Sequence, residues 1–206
     1  MHFSDLNLNK PLLKAIFEKN YETPTKVQIQ TIPLVLAKKN VIASAQTGTG
    51  KTAAFALPIL QLLFHQQDTN KEQKKIRALI VSPTRELAVQ INEEFTDYSK
   101  YTKLSSTVVY GGISIDAQKK VLKKGIDILI ATPGRLLDLC KQEIVDLSTI
   151  EILVLDEADL MLDMGFIDDI KKIDLLCPTQ KQILLFSATM TSKVVHFAKN
   201  LLSNPE

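Results

Sequence analysis

Between a short apolar run and a stretch of helical period stands Ala45-Gln46-Thr47-Gly48-Thr49-Gly50-Lys51-Thr52. Glycines at this spacing let the main chain curl until successive N–H groups point at one anion, and the helix that follows adds the positive end of its dipole. Lys51 is long enough to reach the β- and γ-phosphates of a nucleotide, and the Thr52 hydroxyl can ligate Mg²⁺. The first position holds Ala45 where the general pattern has Gly. A glycine-rich turn with an incidental Lys is the competing reading, and the strand–loop–helix setting weighs against it.

A second group of residues supplies what such a loop lacks. Ile152-Leu153-Val154-Leu155 runs directly into Asp156-Glu157-Ala158-Asp159. A buried strand that delivers two carboxylates beside Lys51 could place Asp156 on Mg²⁺, directly or through water. Glu157 could then position and deprotonate an attacking water. Taken alone, Asp and Glu after a strand are turn or cap residues; it is the phosphate loop on the same sheet edge that favours hydrolysis.

Two further segments share one design: Ala78-Leu79-Ile80-Val81-Ser82-Pro83-Thr84-Arg85 and Ile128-Leu129-Ile130-Ala131-Thr132-Pro133-Gly134-Arg135. Ser82 or Thr132 at the cap and Pro83 or Pro133 at the first helical position have a sufficient structural reason. An Arg in the first turn does not, because the helix dipole disfavours a cation there. Two such helix starts on one edge form an anion-binding row suited to a sugar-phosphate backbone. Neither carries an aromatic stacking platform, so binding should lack sequence preference. Gln28 has two roles open to it. Thr25-x-x-Gln28 is a capping box, and the same amide could pair with N6 and N7 of adenine.

These residues need a scaffold, and the pattern predicts an α/β fold with a mostly parallel sheet and helices on both faces. The strand candidates are Val41–Ala45, Ala78–Ser82, Thr107–Tyr110, Ile126–Ala131, Ile150–Asp156 and Gln182–Ser187. Most are continuous Ile/Leu/Val runs, as strands buried on both faces should be. Ala56, Ile59, Leu60, Leu63 and Phe64 mark one helix, and Ala88, Ile91, Phe95 and Tyr98 another. Pro58 is expected to kink or split the first. The polar segment Gln66–Lys75 is expected to be an exposed loop. Helices around Lys10–Lys19 and Lys26–Lys38 precede the first strand. The chain therefore reads as one domain, 1–206, with an N-terminal extension over 1–38 and a core over 39–206.

Composition narrows the classes. At 206 residues, 45% hydrophobic and 23% charged, the chain can bury a core without staples. Its formal net charge of +2 permits an anionic partner without demanding one. The runs Lys71, Lys74, Lys75, Arg77 and Lys119, Lys120, Lys123, Lys124 are read as solvated surface. Cys140, Cys177 and the three histidines are scattered, which argues against a metal site built from protein ligands alone. There is no signal-peptide pattern and no apolar run of bilayer length. A cytoplasmic monomer without membrane contact is expected.

Asp156-Glu157-Ala158-Asp159 resembles the motif that names the DEAD-box RNA helicases, and further motifs of that family's first domain follow in register across the chain. Thr23-Pro24-Thr25-Lys26-Val27-Gln28 is similar to its adenine-reading Q motif. Pro83-Thr84-Arg85, Gly111-Gly112 and Thr132-Pro133-Gly134-Arg135 are similar to its RNA-contacting elements, and Ser187-Ala188-Thr189 to the segment that couples hydrolysis to unwinding. Asn20 and Lys26-Val27 depart from the family's usual Gly and Pro-Ile. The wording around Met164-Gly165-Phe166 looks most like bacterial RhlE-type members.

The resemblance implies a RecA-like P-loop domain of an ATP-dependent RNA helicase. Lys51, Asp156 and Glu157 would be catalytic. Tyr21, Thr23, Gln28 and residues 45–52 would bind ATP, with Tyr21 stacking on adenine. Thr52 and Asp156 would hold Mg²⁺, and Asp159, Ser187 and Thr189 would couple hydrolysis to unwinding. Pro83, Thr84, Arg85, Gly111, Gly112, Thr132, Pro133, Gly134 and Arg135 would touch RNA. It further implies a second RecA-like domain that supplies an arginine finger. None of that domain's motifs occurs in these 206 residues, so turnover by this chain alone should be nearly absent. The rival readings are a nucleotide-gated RNA-binding or scaffold module without turnover and a DNA-directed translocase.

Overall fold

The computed structural model describes residues 1–46, 48–65, 75–202 and 205. Among them, six strands form one sheet: β1 (Val41–Ser44), β2 (Ala78–Val81), β3 (Ser106–Val109), β4 (Ile128–Ala131), β5 (Ile152–Leu155) and β6 (Gln182–Ser187). The order is β1-β6-β5-β2-β4-β3, and every neighbouring pair is parallel. Side chains alternate across the sheet, so Ala78 and Ile80 enter one core while Leu79 and Val81 enter the other. Strands β2, β4, β5 and β6 are buried at every position, whereas the edge strands β1 and β3 are partly open. That is why the central strands read as unbroken apolar runs.

The first core is roofed by α1 (Lys10–Glu18), α2 (Lys26–Leu36), α3 (Lys51–His65) and α4 (Arg85–Ser99). The second lies under α5 (Ile115–Leu122), α6 (Pro133–Lys141), α7 (Ala158–Asp163), α8 (Ile167–Leu176) and α9 (Ser192–Leu201). The N-terminal extension is fastened to the core by polar side chains. Asn9 N–H donates to Gln61 Oε1 at 2.8 Å, Gln61 Nε2 donates to the Asn7 carbonyl at 3.1 Å, and Lys19 pairs with Asp97 at 2.6 Å. Helices α1 and α2 stop slightly short of their expected ends, close to where Asn20 and Lys38 turn left-handed. No helix among the described residues is long and apolar enough to cross a membrane. The expected loop at Gln66–Lys75 falls, but for Lys75, outside the described residues.

Of the kink or split expected at Pro58, the split does not occur, and one cap assignment is corrected. Pro58 does not split its helix, which runs from Lys51 to His65. An interior Pro costs about 3 kcal/mol, but Phe55, Leu57, Ile59, Leu60 and Leu63 are all fully buried, each worth roughly 1.5–3 kcal/mol. The Phe55 ring lies 5.1 Å from Phe186 and 6.2 Å from Phe95, which anchors α3 between sheet and helix. Ser82 does not cap α4. Thr84 does, its hydroxyl accepting from Leu87 N–H at 3.3 Å, so Pro83 precedes the helix and Arg85 opens it. Two hydroxyl residues competed for the cap, and Thr84 holds the extended backbone the position needs. In α6 the order is as expected: Thr132 at the cap, Pro133 first.

Candidate active site

All six strands point their C-terminal ends at one edge, so their loops collect there. A cavity of about 530 Å³ opens beside β1 and β5, lined by Tyr21, Thr23, Gln28, Gly48, Gly50, Lys51, Thr52, Asp156 and Glu157. The fold thus brings together residues of three separate segments, 21–28, 48–52 and 156–157. Thr47 lies outside the described residues. Ala45 and Thr49 line a separate groove along α2 and β1, and Thr49 turns its hydroxyl back to the Gln46 carbonyl at 2.6 Å.

The centre of the cavity is a buried ion pair. Lys51 Nζ lies 2.6 Å from Glu157 Oε1, with the two side chains 5% and 11% exposed. Glu157 reaches this position from a left-handed backbone, φ 57° and ψ 53°. A non-glycine residue pays roughly 1–2 kcal/mol for that conformation, and such strain gathers at functional sites. The strain turns the chain sharply between β5 and α7, so that Asp156 and Glu157 both line the one cavity.

Asp156 is the other unusual carboxylate. Burial raises its pKa to about 6, against the pull of Lys51 and with a further push from Glu157. Its Oδ1 is buried without a hydrogen-bond partner. An orphaned, buried carboxylate oxygen in a cavity that Thr52 also lines suits a hard divalent cation such as Mg²⁺. Among the described residues no three His, Cys, Asp or Glu side chains converge. An ion held by Asp156 and Thr52 would therefore complete its shell with phosphate oxygens and water.

Gln28 performs the capping role and keeps capacity in reserve. Its Oε1 accepts from Thr25 N–H at 2.9 Å, and its Nε2 donates to the Gly50 carbonyl at 3.1 Å. A primary amide has two donors and two acceptor sites, so one of each is left for a base edge. Gly50 makes this approach possible: a Cβ there would sit 2.4 Å from Gln28 Nε2, and its φ is +86°.

Asp159 joins α7 to the end of β6. Its Oδ2 accepts from Thr189 N–H at 2.9 Å and Thr189 Oγ1 at 2.8 Å, and its own N–H donates to Ser187 Oγ at 3.3 Å. Burial works to raise this carboxyl, but the hydrogen bonds from Thr189 and Ser187 outweigh it and hold the group below its ordinary range.

The arginine row occupies the other half of the edge, above the adjacent strands β2, β4 and β3. The Arg85 guanidinium lies 4.8 Å from the Tyr110 ring centroid, bridging the ends of β2 and β3. Arg135 donates to Gln118 Oε1 at 3.2 Å and to the Ile113 carbonyl at 3.1 Å. Gly111 and Gly112 are exposed between these contacts. The cavity and the arginine row are thus neighbours on one sheet edge.

The family model described as DEAD/DEAH box helicase matches residues 25–197. The chain belongs to this family. It is 47% identical over 203 residues to the DEAD-box ATP-dependent RNA helicase RhpA of Helicobacter pylori, covering 98% of this chain and 40% of that protein. It is 48% identical over 206 residues to the ATP-dependent RNA helicase CshA of Limosilactobacillus reuteri, covering 100% of this chain and 40% of that one. The chain therefore spans about 40% of the length of these curated relatives. Among solved structures, a DEAD box protein from Methanococcus jannaschii superposes with a TM-score of 0.92 at 41% identity, over 100% of this chain and 55% of that one. A hypothetical ATP-dependent RNA helicase from Sulfolobus tokodaii gives 0.86 at 42% identity, over 97% and 56%.

Within this DEAD-box domain the sequence reading missed the far wall of the cavity. Gln90, Ile91, Glu94 and Tyr98 of α4 and Phe3 of the extension line it as well. Burial, with Glu94 and Tyr21 alongside, holds the Tyr98 phenol far above its ordinary range, so it stays protonated. The helical stripe Ala88, Ile91, Phe95, Tyr98 marked this face as buried. Periodicity alone could not show that part of it borders a cavity.

Proposed function

We propose that this chain is the first RecA-like domain of an ATP-dependent RNA helicase, the whole of residues 1–206 forming one ATP-binding unit. The observation that carries the reading is Lys51 and Glu157 paired beside the orphaned Asp156 oxygen, in a cavity that Gln28 also lines. Lys51 and the loop N–H groups would hold the phosphates of ATP, and Gln28 and Tyr21 its adenine. Thr52 and Asp156 would hold Mg²⁺, which when bound offsets charge on the transferring phosphoryl group. Engaging phosphate draws Lys51 from Glu157 and frees that carboxylate to orient and deprotonate water.

RNA would lie along Arg85, Gly111, Gly112 and Arg135, held by its backbone. The Asp159–Ser187–Thr189 bonds would pass the state of the nucleotide site to a second RecA-like domain of a longer parent protein. That domain would supply the arginine finger, whose loss typically lowers the rate by about 10³–10⁵. The parent protein would be a cytoplasmic monomer of RhlE type.

The test is RNA-stimulated ATP hydrolysis by this chain alone and mixed with its parent's second domain. Near silence alone with rescue on mixing supports the proposal. Robust turnover alone would contradict the split site, and equal stimulation by DNA would contradict the choice of RNA.

A further inference from the structure

Helix α5 leaves the arginine row and runs along the edge strand β3, packing Leu122 into the core below it. Its outer face and exit carry Lys119, Lys120, Lys123 and Lys124. Among the described residues, the acid that pairs with them is Asp116, 3.9 Å from Lys119 and itself 85% exposed, which makes a weak pair. Lys120, Lys123 and Lys124 are exposed and have no ion-pair partner among the described residues. Four clustered cations stand out in a chain whose net charge is only +2. One or two would suffice to complement the C-terminal end of a helix dipole, so the others lack a structural reason.

This helix is bolted to the arginine row. Gln118, buried on the inner side of α5, donates to the Tyr110 carbonyl at 3.0 Å and accepts from Arg135 at 3.2 Å. Arg135 also holds the Ile113 carbonyl, one residue before the turn into α5. Hydrogen bonds thus tie the arginine row to the helix that carries the lysine ridge, with the exposed Gly111–Gly112 turn between them. We infer that the α5 ridge of Lys119, Lys120, Lys123 and Lys124 is a second phosphate track, holding the flank of an RNA strand that continues past the arginine row. This rests on the RNA reading proposed above. This link favours a nucleic acid over an acidic protein or an anionic membrane, neither of which would draw on Arg135 and the glycine turn.

The experiment compares two uridine oligonucleotides, of about 5 and about 20 nucleotides, which bracket the usual span of a single-strand site. Binding is measured against salt for the unmodified chain and for the triple variant Lys120→Gln, Lys123→Gln, Lys124→Gln. Each phosphate contact contributes roughly −0.7 to the slope of log K against log salt for a single strand. The triple variant should therefore lose about 2 from the slope on the long RNA and nothing on the short one. The matching Lys→Arg variant should restore the slope, which a merely structural role for the lysines would not require. An unchanged slope on the long RNA overturns the ridge while leaving the RNA reading intact. Tighter ridge-dependent binding to phosphatidylserine vesicles than to RNA overturns it as well. Failure of the unmodified chain to bind either RNA overturns the RNA reading itself, and the ridge with it.

Discussion

Lys51 and Glu157, 106 residues apart, close on each other at 2.6 Å in the interior of the cavity. The pair sets a buried ammonium against a buried carboxylate, so that each satisfies the other. Neither can be removed cheaply, because the survivor would be a buried, uncompensated charge.

Breaking such a pair from one side costs about 3–5 kcal/mol. Lys51→Ala and Glu157→Gln should each lower the stability of the nucleotide-free chain, Lys51→Ala more, since Gln leaves a hydrogen-bond acceptor for Lys51. The double variant Lys51→Ala, Glu157→Gln should be less destabilised than the sum of the two singles. Urea unfolding read as a double-mutant cycle measures this coupling; strictly additive losses would show that the two groups do not depend on each other.

Asp156 sets a pH dependence. In the metal-free fold its carboxyl titrates near 6, against an ordinary value of 3.8. Between those values the folded chain holds a proton that the unfolded chain has lost, so stability falls as pH rises through this window, by an amount on the order of 3 kcal/mol. Asp156→Asn should flatten the melting profile between about pH 4 and pH 6 and raise the melting temperature at pH 7 without nucleotide. It should also abolish stabilisation by Mg²⁺ with ATP, which in the unmodified chain grows as Asp156 ionises. A variant with the same pH profile as the parent would remove Asp156 as its source.

Gly48 and Gly50 separate two kinds of glycine requirement. Both have positive φ, +82° and +86°, but a Cβ on Gly48 meets nothing within 4 Å while one on Gly50 runs into Gln28. Gly48→Ala should therefore cost only the backbone term, about 1–2 kcal/mol. Gly50→Ala should cost that and also displace the Gln28 amide, with a larger loss of adenine-nucleotide affinity. Equal effects of the two substitutions on binding would mean that the Gln28–Gly50 contact does not shape the site.

Much of this architecture was legible because it rests on contrasts that sequence records well. Strands buried on both faces must be apolar throughout, so β2, β4, β5 and β6 stood out as Ile/Leu/Val runs, and the residues after them fell on one edge. The phosphate loop and the two carboxylates were legible for the same reason, since few other residue types could serve there. What escaped depended on competition between nearly equivalent choices. Ser82 and Thr84 could both cap α4, and only the backbone conformation decides for Thr84. Pro58 breaks helices in water, but α3 is enclosed by Phe95 on one side and Phe186 on the other, and packing prevails. Gln28 posed an apparent choice between cap and base reader, and the structure leaves its amide enough hydrogen-bonding capacity for both.

On the proposed function, this cavity holds an adenine nucleotide through Gln28 and Lys51. The most direct measurement is calorimetric titration of the chain with ATP and with GTP, each with Mg²⁺. An amide that reads a base edge in two hydrogen bonds discriminates by about 1–3 kcal/mol, so ATP should bind roughly 5- to 150-fold more tightly than GTP. Gln28→Ala should erase most of that gap, and Lys51→Ala should weaken ATP while sparing adenosine. Equal affinities for ATP and GTP in the unmodified chain, or ATP binding indifferent to Lys51→Ala, would contradict the account.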